Sequence, residues 1–326
     1  MSLPPLYPLP FAPFLRPMPW GGSRLAAWIR PETVPESPIG EAWLLSDHPL
    51  HVSLVSGGPL EGVSLRQLLA TRSVELLGAH ADRFPLLIKL LDARENLSIQ
   101  VHPDDDDARA WAPSEGGKTE SWLVLEAAPE AVIYLGLKPG IDAAAVAQAL
   151  KSGDLPACLV QHRPQAGDCY FVPAGSIHAL GGGLVVLEVQ QTSDATFRLH
   201  DWGRLDPEGK PRPLHPEAAL AVLKEAPERL GLQPRAALGP ESELLIECQH
   251  YAKRHHALTS PLRVQAPSIL VGLNGTGLVR HPAGNTQVEP GQAVLLPACL
   301  RTAELVPDGQ WAVVEVVPRQ PARLTR

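Results

Sequence analysis

Proline is the residue that most constrains this chain, because it occurs along the whole length and not in one segment. The sequence contains 35 prolines among 326 residues, together with 27 glycines. A proline removes a backbone donor and clashes with the preceding helical turn, so long uninterrupted helices are not expected. Short secondary-structure elements joined by tight turns are compatible with this many prolines. The composition therefore predicts an all-β (mainly β) fold with a few helices.

Apolar runs bounded by turn residues predict strands through most of the chain. The segment LLIKLLDARENLSIQVHP, residues 86–103, predicts two strands around a polar turn at 92–96. Helices are predicted where leucine or alanine recurs at helical spacing or behind a capping residue. These helices are Ser64–Leu77, Asp142–Leu150 and Pro216–Leu223.

Charge and cysteine content limit which binding partners and which cell compartment are expected. The net charge is −7 and no block of lysine and arginine stands out, so we expect no nucleic-acid partner. The acidic run Asp104–Asp107 lacks the glycine and terminal glutamate of a calcium loop and predicts a loop or a helix start. The four cysteines form no CxxC pair, which is typical of a cytoplasmic protein. No apolar run of about 18 residues occurs, so no membrane partner is expected.

A short motif occurs once in each half of the chain. Gly167–Ala174 and Gly291–Ala298 both consist of a glycine turn, four strand-like residues and Pro-Ala. A glycine turn leading into a strand that stops at a proline is typical of a hairpin unit in an antiparallel barrel. We interpret the two copies as a duplicated jelly-roll unit. His178 follows the first copy, and Thr302 stands at the matching position after the second.

Candidate metal ligands lie in three separate segments. In QVHP, Gln100 and His102 share one strand face, and in GKTES, Lys118 and Glu120 share another. His178 follows Pro-Ala-Gly-Ser. A mixed nitrogen and oxygen set favours a divalent metal, zinc first, with iron or manganese as alternatives. Taken singly, a histidine of this kind is more often a turn residue than a ligand.

Polar residues also alternate along Leu187–Trp202, where a barrel interior is normally apolar. Glu188 shares a face with Gln190, and Thr196 shares one with Arg198. A polar lining is costly unless it meets a polar ligand, so Arg198 is a candidate for holding an anion or a developing oxyanion. The alternative is an edge strand with a solvated arginine. The triplet His250, His255 and His256 is interpreted as a partly exposed face without a carboxylate partner.

These motifs together resemble the type I mannose-6-phosphate isomerases in their short bacterial form, a family of the cupin superfamily. The resemblance runs from about Pro10 to Pro216, in the order and spacing of that family. The motifs are WGG (20–22), LLIKLLDARENLSIQVHPDD (86–105), GKTESW (117–122), VPAGSIHAL (172–180) and LEVQQTSDATFRLHDWGR (187–204).

The resemblance implies a zinc-dependent aldose–ketose isomerase that interconverts mannose 6-phosphate and fructose 6-phosphate through a cis-enediol. It implies one zinc per chain and a sugar phosphate as the small-molecule partner, in a monomer or homodimer. The implied zinc ligands are Gln100, His102, Glu120 and His178. The implied catalytic residues are Arg198, which offsets oxyanion charge, and Lys118, which contacts substrate or moves a proton.

The resemblance also implies two cupin barrels. We expect residues 1–235 to form a metal-binding cupin with helical elements and residues 236–326 to form a metal-free cupin-like domain. The residues alone are also compatible with two other functions. One is an iron-dependent cupin dioxygenase, although Gln100 stands where such enzymes often have histidine. The other is an inactive cupin that binds a sugar phosphate.

Overall fold

The computed structural model describes residues 3–29, 38–205 and 209–319. Strands dominate these residues, which confirms the predicted mainly β class. No helix in the described residues is long and apolar enough to cross a membrane. The strands are β1 (Leu9–Phe11), β2 (Phe14–Gly22), β3 (Ile39–Leu45), β4 (Asp47–His48), β5 (His51–Val52), β6 (Leu86–Ala93), β7 (Ile99–Val101), β8 (Glu120–Ala127), β9 (Ile133–Leu137), β10 (Leu159–His162), β11 (Cys169–Val172), β12 (His178–Leu180), β13 (Leu184–Gln191), β14 (Phe197–His200), β15 (Gly231–Leu232), β16 (Ala236–Gly239), β17 (Ser242–Glu247), β18 (Tyr251–Leu258), β19 (Leu262–Gln265), β20 (Ser268–Arg280), β21 (Thr286–Val288), β22 (Ala293–Leu296) and β23 (Thr302–Pro318).

The helices are short and begin at the capping residues that the sequence predicts. Ser64 Oγ accepts a hydrogen bond from the amide of Gln67, and Asp142 caps its helix in the same way. The acidic run starts a helix, because the Asp104 carboxylate accepts bonds from two amides of the first turn. The helices are α1 (Leu25–Ile29), α2 (Leu65–Leu77), α3 (Asp105–Trp111), α4 (Ala143–Ser152) and α5 (Pro216–Val222), with 3₁₀ turns at Leu155–Cys158 and Ala298–Leu300.

Two antiparallel sheets form the first barrel. One has the strand order β15-β11-β8-β13-β6-β2-β3, and the other has the order β10-β9-β12-β7-β14. Side chains of the first sheet alternate between two apolar clusters, as the pleat requires. Leu91, Trp122 and Val186 pack into the barrel interior. Their neighbours Leu90 and Leu187 point outward into the largest apolar cluster of the molecule.

A nine-stranded sheet forms the second barrel and contains every strand from β16 onward. Bulges bend its long strand β20, and the sheet surrounds its own apolar cluster, which includes Trp311 and Val313. The first strand of the chain, β1, also joins this sheet by pairing with β22. The largest apolar cluster lies between the two barrels, since it unites Leu90 with Tyr251 and Val314. The division at residue 235 stays a prediction. Residue 1 and residue 326, the outer ends of the two predicted domains, lie outside the described residues.

The repeated motif forms matching structures in the two halves. Gly167 and Gly291 both have a positive φ, of 96° and 74°, which favours glycine because it has no Cβ. The strands β11 and β22 follow them, and each ends directly before a proline. Proline at these points stops the strand because it cannot donate the next ladder bond.

One prediction for the second half is wrong. His256 is buried and has a carboxylate partner, because its Nε2 lies 3.3 Å from Glu315 Oε2. Its Nδ1 lies 2.8 Å from Ser242 Oγ. The partner was not evident in the sequence because Glu315 comes from β23, the spatial neighbour of β18, and not from a nearby segment.

Candidate metal centre

The candidate ligands converge between the two sheets of the first barrel. Gln100 lies on β7 and is the register partner of His178 at the start of β12. His102 follows the end of β7, and Glu120 opens β8 in the opposite sheet. His178 Nε2 lies 3.4 Å from Glu120 Oε1, and His102 Nε2 lies 3.6 Å from Glu120 Oε2. Ligand atoms of the two histidines and Glu120 all lie within 4.8 Å of one another.

Both imidazoles are oriented by hydrogen bonds on the side away from the centre. His102 Nδ1 donates to the carbonyl of Ala195 at 2.7 Å, and His178 Nδ1 donates to the carbonyl of Ser176 at 3.0 Å. A carbonyl only accepts, so these bonds fix the proton on Nδ1 and leave the Nε2 lone pairs facing inward. Burial lowers the pKa of His178 to about 4, and burial with nearby Lys118 holds the pKa of His102 well below its usual range. Both rings are therefore neutral, as ligation requires.

Gln100 faces the same point. Its Nε2 lies 3.3 Å from Nε2 of both His102 and His178, and Ser98 Oγ donates to its Oε1 at 3.1 Å. A half-turn of the amide exchanges its oxygen and nitrogen with little change in shape. That rotation places the oxygen beside the two imidazole lone pairs, where it can serve as a ligand.

The carboxylate of Glu120 indicates that a metal ion would be accommodated at this centre. Its side chain is buried, and among the described residues its Oε2 accepts no hydrogen bond. Burial raises the pKa of Glu120 to about 7, against the opposing charge of Lys118. A buried carboxylate oxygen that accepts no hydrogen bond, and whose nearest cation is the Lys118 ammonium at 3.3 Å, is costly, and a bound metal ion would lower that cost. Two neutral imidazoles, a carboxylate and an amide fit an open divalent site of nitrogen and oxygen ligands.

Lys118 reaches the same centre from the turn before β8. Its Nζ lies 3.1 Å from His102 Nε2 and 3.3 Å from Glu120 Oε2. The side chain is 5% exposed, so its position is set by the surrounding protein and not by solvent. The period-two prediction that Lys118 and Glu120 share a face is confirmed. The ammonium therefore stands beside the candidate metal centre, where substrate atoms would lie.

A cavity of about 360 Å³ opens beside the centre, and Gln100 and Lys118 belong to its wall. Arg198 lies across from Gln100 as its register partner on β14. The guanidinium is held by Ser98 Oγ at 3.3 Å from Nε and by the Pro213 carbonyl at 2.9 Å from Nη1. Burial and nearby Arg212 lower the pKa of Arg198 from its ordinary value. β14 is the edge strand of its sheet, as the alternative supposed, but its arginine is a positioned cation in the cavity wall and not a solvated one.

The same cavity also holds a buried charge network that is not predicted from the sequence. Lys89 Nζ lies 3.4 Å from Glu188 and 3.8 Å from Glu41, and all three side chains are buried. Burial alone would lower the pKa of Lys89, but Glu41 and Glu188 outweigh it and raise the value. Trp122 Nε1 donates to Glu188 at 3.0 Å. The available signal was the single lysine inside the otherwise apolar run LLIKLL, which places a charge on an interior face.

Comparison with known proteins agrees with this site. Residues 11–123 match the family described as phosphomannose isomerase type I, catalytic domain. The chain is 32% identical over 295 residues to the mannose-6-phosphate isomerase ManA of Bacillus subtilis, covering 89% of this chain and 93% of that protein. It is 34% identical over 305 residues to the mannose-6-phosphate isomerase of Streptococcus mutans, covering 90% and 93%.

Solved structures give the same result for the fold. The crystal structure of the mannose 6-phosphate isomerase from Bacillus subtilis superposes with a TM-score of 0.87 at 30% identity, covering 95% of this chain and 99% of that one. A putative mannosephosphate isomerase from Archaeoglobus fulgidus has a TM-score of 0.78 at 23% identity, which shows a shared fold. Sequence identity over nine-tenths of the chain, with the same two-cupin architecture, identifies this chain as a member of the type I phosphomannose isomerase family.

Proposed function

We propose that the protein is a metal-dependent isomerase that interconverts mannose 6-phosphate and fructose 6-phosphate. The observation that carries the proposal is the placement of His102, Glu120 and His178 around one point beside a cavity with fixed cations. The relatives named mannose-6-phosphate isomerase support the choice of substrate. A cationic cavity suits a phosphorylated sugar because a phosphate is an anion with several hydrogen-bond acceptors.

The metal would be held by Gln100, His102, Glu120 and His178, and we propose zinc, one ion per chain. Neutral imidazole with oxygen ligands and no thiolate is a set that zinc accepts in catalytic sites. Such an ion supplies Lewis-acid polarisation of the substrate carbonyl and hydroxyl oxygens.

The protein's own residues would orient the sugar and balance its changing charge. Conversion of an aldose into a ketose moves a proton between C2 and C1 and passes through a cis-enediol, with negative charge developing on oxygen. Arg198 is held by two hydrogen bonds in the cavity wall, so its charge is available there without reorganisation. Lys118 lies beside His102 and Glu120 and would contact the reacting oxygens or hold a proton there. We propose both as catalytic residues.

The alternatives receive less support. An iron-dependent dioxygenase would share the fold, but two similar proteins that each cover about nine-tenths of this chain are named as isomerases. An inactive sugar-phosphate-binding cupin would not need the ligand triad together with Arg198 and Lys118. No observation in the described residues favours either function over isomerisation.

The test is an isomerase assay with mannose 6-phosphate and with free mannose, on protein whose metal content is measured in the same sample. We expect about one zinc per chain and fructose 6-phosphate as the product, with free mannose converted much more slowly. Metal-loaded protein that binds mannose 6-phosphate without converting it would exclude catalysis. Iron with oxygen-dependent turnover would favour the dioxygenase.

A further inference from the structure

The second barrel contacts the wall of the metal centre through two buried side chains of β18. The Tyr251 hydroxyl lies 2.8 Å from Ser121 Oγ and 2.9 Å from the carbonyl oxygen of Val189. Lys253 Nζ lies 3.3 Å from the carbonyl oxygen of Ser121. Tyr251 and Lys253 are both 0% exposed. Polar groups at this depth are rare in an apolar interface, so their partners identify what they do.

The directions of these hydrogen bonds follow from the chemistry of the groups. The Val189 carbonyl can only accept, so the phenol proton of Tyr251 is directed to it. The Ser121 hydroxyl then donates to the phenol oxygen. Tyr251 therefore links β8 and β13, which are neighbours in the seven-stranded sheet and pair at Ser121 and Val189. This link lies on the outer face of the sheet.

The residues next to these contacts along each strand face the candidate metal centre and the cavity beside it. Side chains alternate along a strand, so Ser121 points outward while Glu120 points inward to the candidate metal centre. Val189 likewise points outward, between Glu188 and Gln190. Glu188 pairs with Lys89 in the cavity. A shift of β8 or β13 toward or away from the second barrel would therefore move Glu120 or Glu188 by a similar distance.

Lys253 adds a second attachment at the same point. Burial lowers its pKa from the ordinary value, with nearby Cys169 opposing the shift. Among the described residues Lys253 has no ion pair; its ammonium reaches the backbone carbonyl of Ser121 in β8 and also lies beside the Cys169 thiol. Ordering so long a side chain costs conformational entropy, which these buried contacts must offset.

We propose that Tyr251 and Lys253 are positioning residues, through which the metal-free second barrel holds the strand bearing Glu120 in the geometry that binds the metal ion. The second barrel then has a function in the reaction without contributing a ligand. This inference rests on the proposed metal centre, and a preorganised ligand geometry is known to depend on such supporting contacts.

The experiment compares Tyr251→Phe with a matched control, Tyr7→Phe. The Tyr7 hydroxyl is also buried and bridges two groups, since it donates to the Gly57 carbonyl at 2.6 Å and accepts from the Leu60 amide at 3.1 Å. Both variants lose one phenol hydroxyl and two hydrogen bonds, but among the described residues the Tyr7 hydroxyl makes no hydrogen bond to β8 or β13. Zinc affinity is measured by competition with a chromophoric chelator, and ligand geometry by the visible absorption of the cobalt(II)-loaded protein.

We expect Tyr251→Phe to weaken zinc binding about 10-fold, at the lower end of the effect of supporting groups on metal sites, and to shift the cobalt spectrum. Tyr7→Phe should lower the melting temperature comparably but leave both readouts as in the wild type. An unchanged zinc dissociation constant in folded Tyr251→Phe would overturn the inference. Equal weakening in Tyr7→Phe would also overturn it, because general destabilisation would then explain the effect.

A second variant keeps the test valid if Tyr251→Phe does not fold. Ser121→Ala removes the same contact from the other side and keeps the bond from Tyr251 to Val189. We expect a smaller loss of zinc affinity, and no additional loss when the two substitutions are combined, because they remove one shared contact. If Tyr251→Phe does not fold, an unchanged zinc dissociation constant in folded Ser121→Ala overturns the inference. If both variants fold, fully additive effects contradict action through Ser121. Wild-type protein is measured first, so failure of zinc to bind there refutes the metal centre and not the role of Tyr251.

Discussion

His178 Nε2 and Glu120 Oε1 lie 3.4 Å apart although the two residues belong to different sheets of the first barrel. His178 opens β12 in the five-stranded sheet, and Glu120 opens β8 in the seven-stranded sheet. An ion bound between them would join the two sheets. The metal centre is therefore expected to contribute to the stability of the barrel as well as to catalysis.

Removal of the metal should abolish turnover and lower stability together. A ligand that binds only the folded state at 100 times its dissociation constant stabilises it by about 2.7 kcal/mol. We expect a decrease of that order in the free energy of unfolding after treatment with EDTA, restored by added zinc. The measurement is chemical denaturation with metal content determined on each sample. The His178→Ala variant is the control, and a shift of equal size in that variant would contradict binding at this site.

Replacement of Arg198 by alanine should reduce kcat and leave the metal content unchanged. Arg198 lines the cavity but lies outside the ligand cluster, and removal of one preorganised donor to a developing oxyanion costs about 10²–10³ in rate. Steady-state kinetics and metal analysis on the same preparation check this. The control is Arg163→Ala, an exposed arginine that donates to the Glu130 carbonyl. Unchanged turnover in Arg198→Ala would remove the arginine from the mechanism.

In metal-free protein, Glu120→Gln should stabilise the fold increasingly as pH rises. Burial raises the pKa of Glu120 from 4.5 to about 7, so the folded protein keeps a proton that the unfolded chain has released. Rising pH therefore favours unfolding between about 4.5 and 7, and the full difference is about 3 kcal/mol. Glutamine has no such proton, so the stability of Glu120→Gln relative to wild type should rise across this interval and level off above it.

The measurement for Glu120→Gln is urea denaturation from pH 4.5 to 8 in the presence of a chelator. Burial holds the pKa of both histidine ligands below its usual range in the folded protein, and the two unfolded chains titrate alike at these histidines, so the difference between the proteins reports mainly on Glu120. The exposed Glu130→Gln variant controls for the loss of one carboxylate. A constant difference between Glu120→Gln and wild type over the whole range would contradict the raised pKa. The variant should also bind zinc more weakly than wild type.

Replacement of Lys89 by methionine should destabilise the protein strongly. The substitution keeps a side chain of similar length but leaves Glu188 buried without its nearby cation, while Glu41 keeps Arg16 at 3.2 Å, and breaking a buried pair costs about 3–5 kcal/mol. Denaturation at pH 7 measures this. Adding Glu188→Gln should recover part of the loss, since one uncompensated charge is removed while Trp122 keeps an acceptor. A loss no larger than that of the exposed Lys151→Met would contradict the prediction.

Local rules in the sequence predict the elements and the orientation of side chains along them. Ser64 and Asp142 begin helices because their side chains accept amide protons of the first turn. Gln100 and His102 share a face because strands alternate with period two. The composition predicts the mainly β class, and the motif set predicts the family. Each of these conclusions depends on residues that are close together along the chain.

The tertiary structure decides which of these faces meet. The approach of Glu120 to His178, the burial of Lys89 between two glutamates and the contact of Tyr251 with β8 all depend on sheet register and on packing between sheets. The pairing of β1 with the second barrel depends on them as well. Period two specifies a face but not the partner across it, because that choice is made by long-range burial of apolar area over the whole molecule. The sequence by itself therefore determined the candidate ligands and the strands that carry them, and only the folded arrangement determined the site that they form.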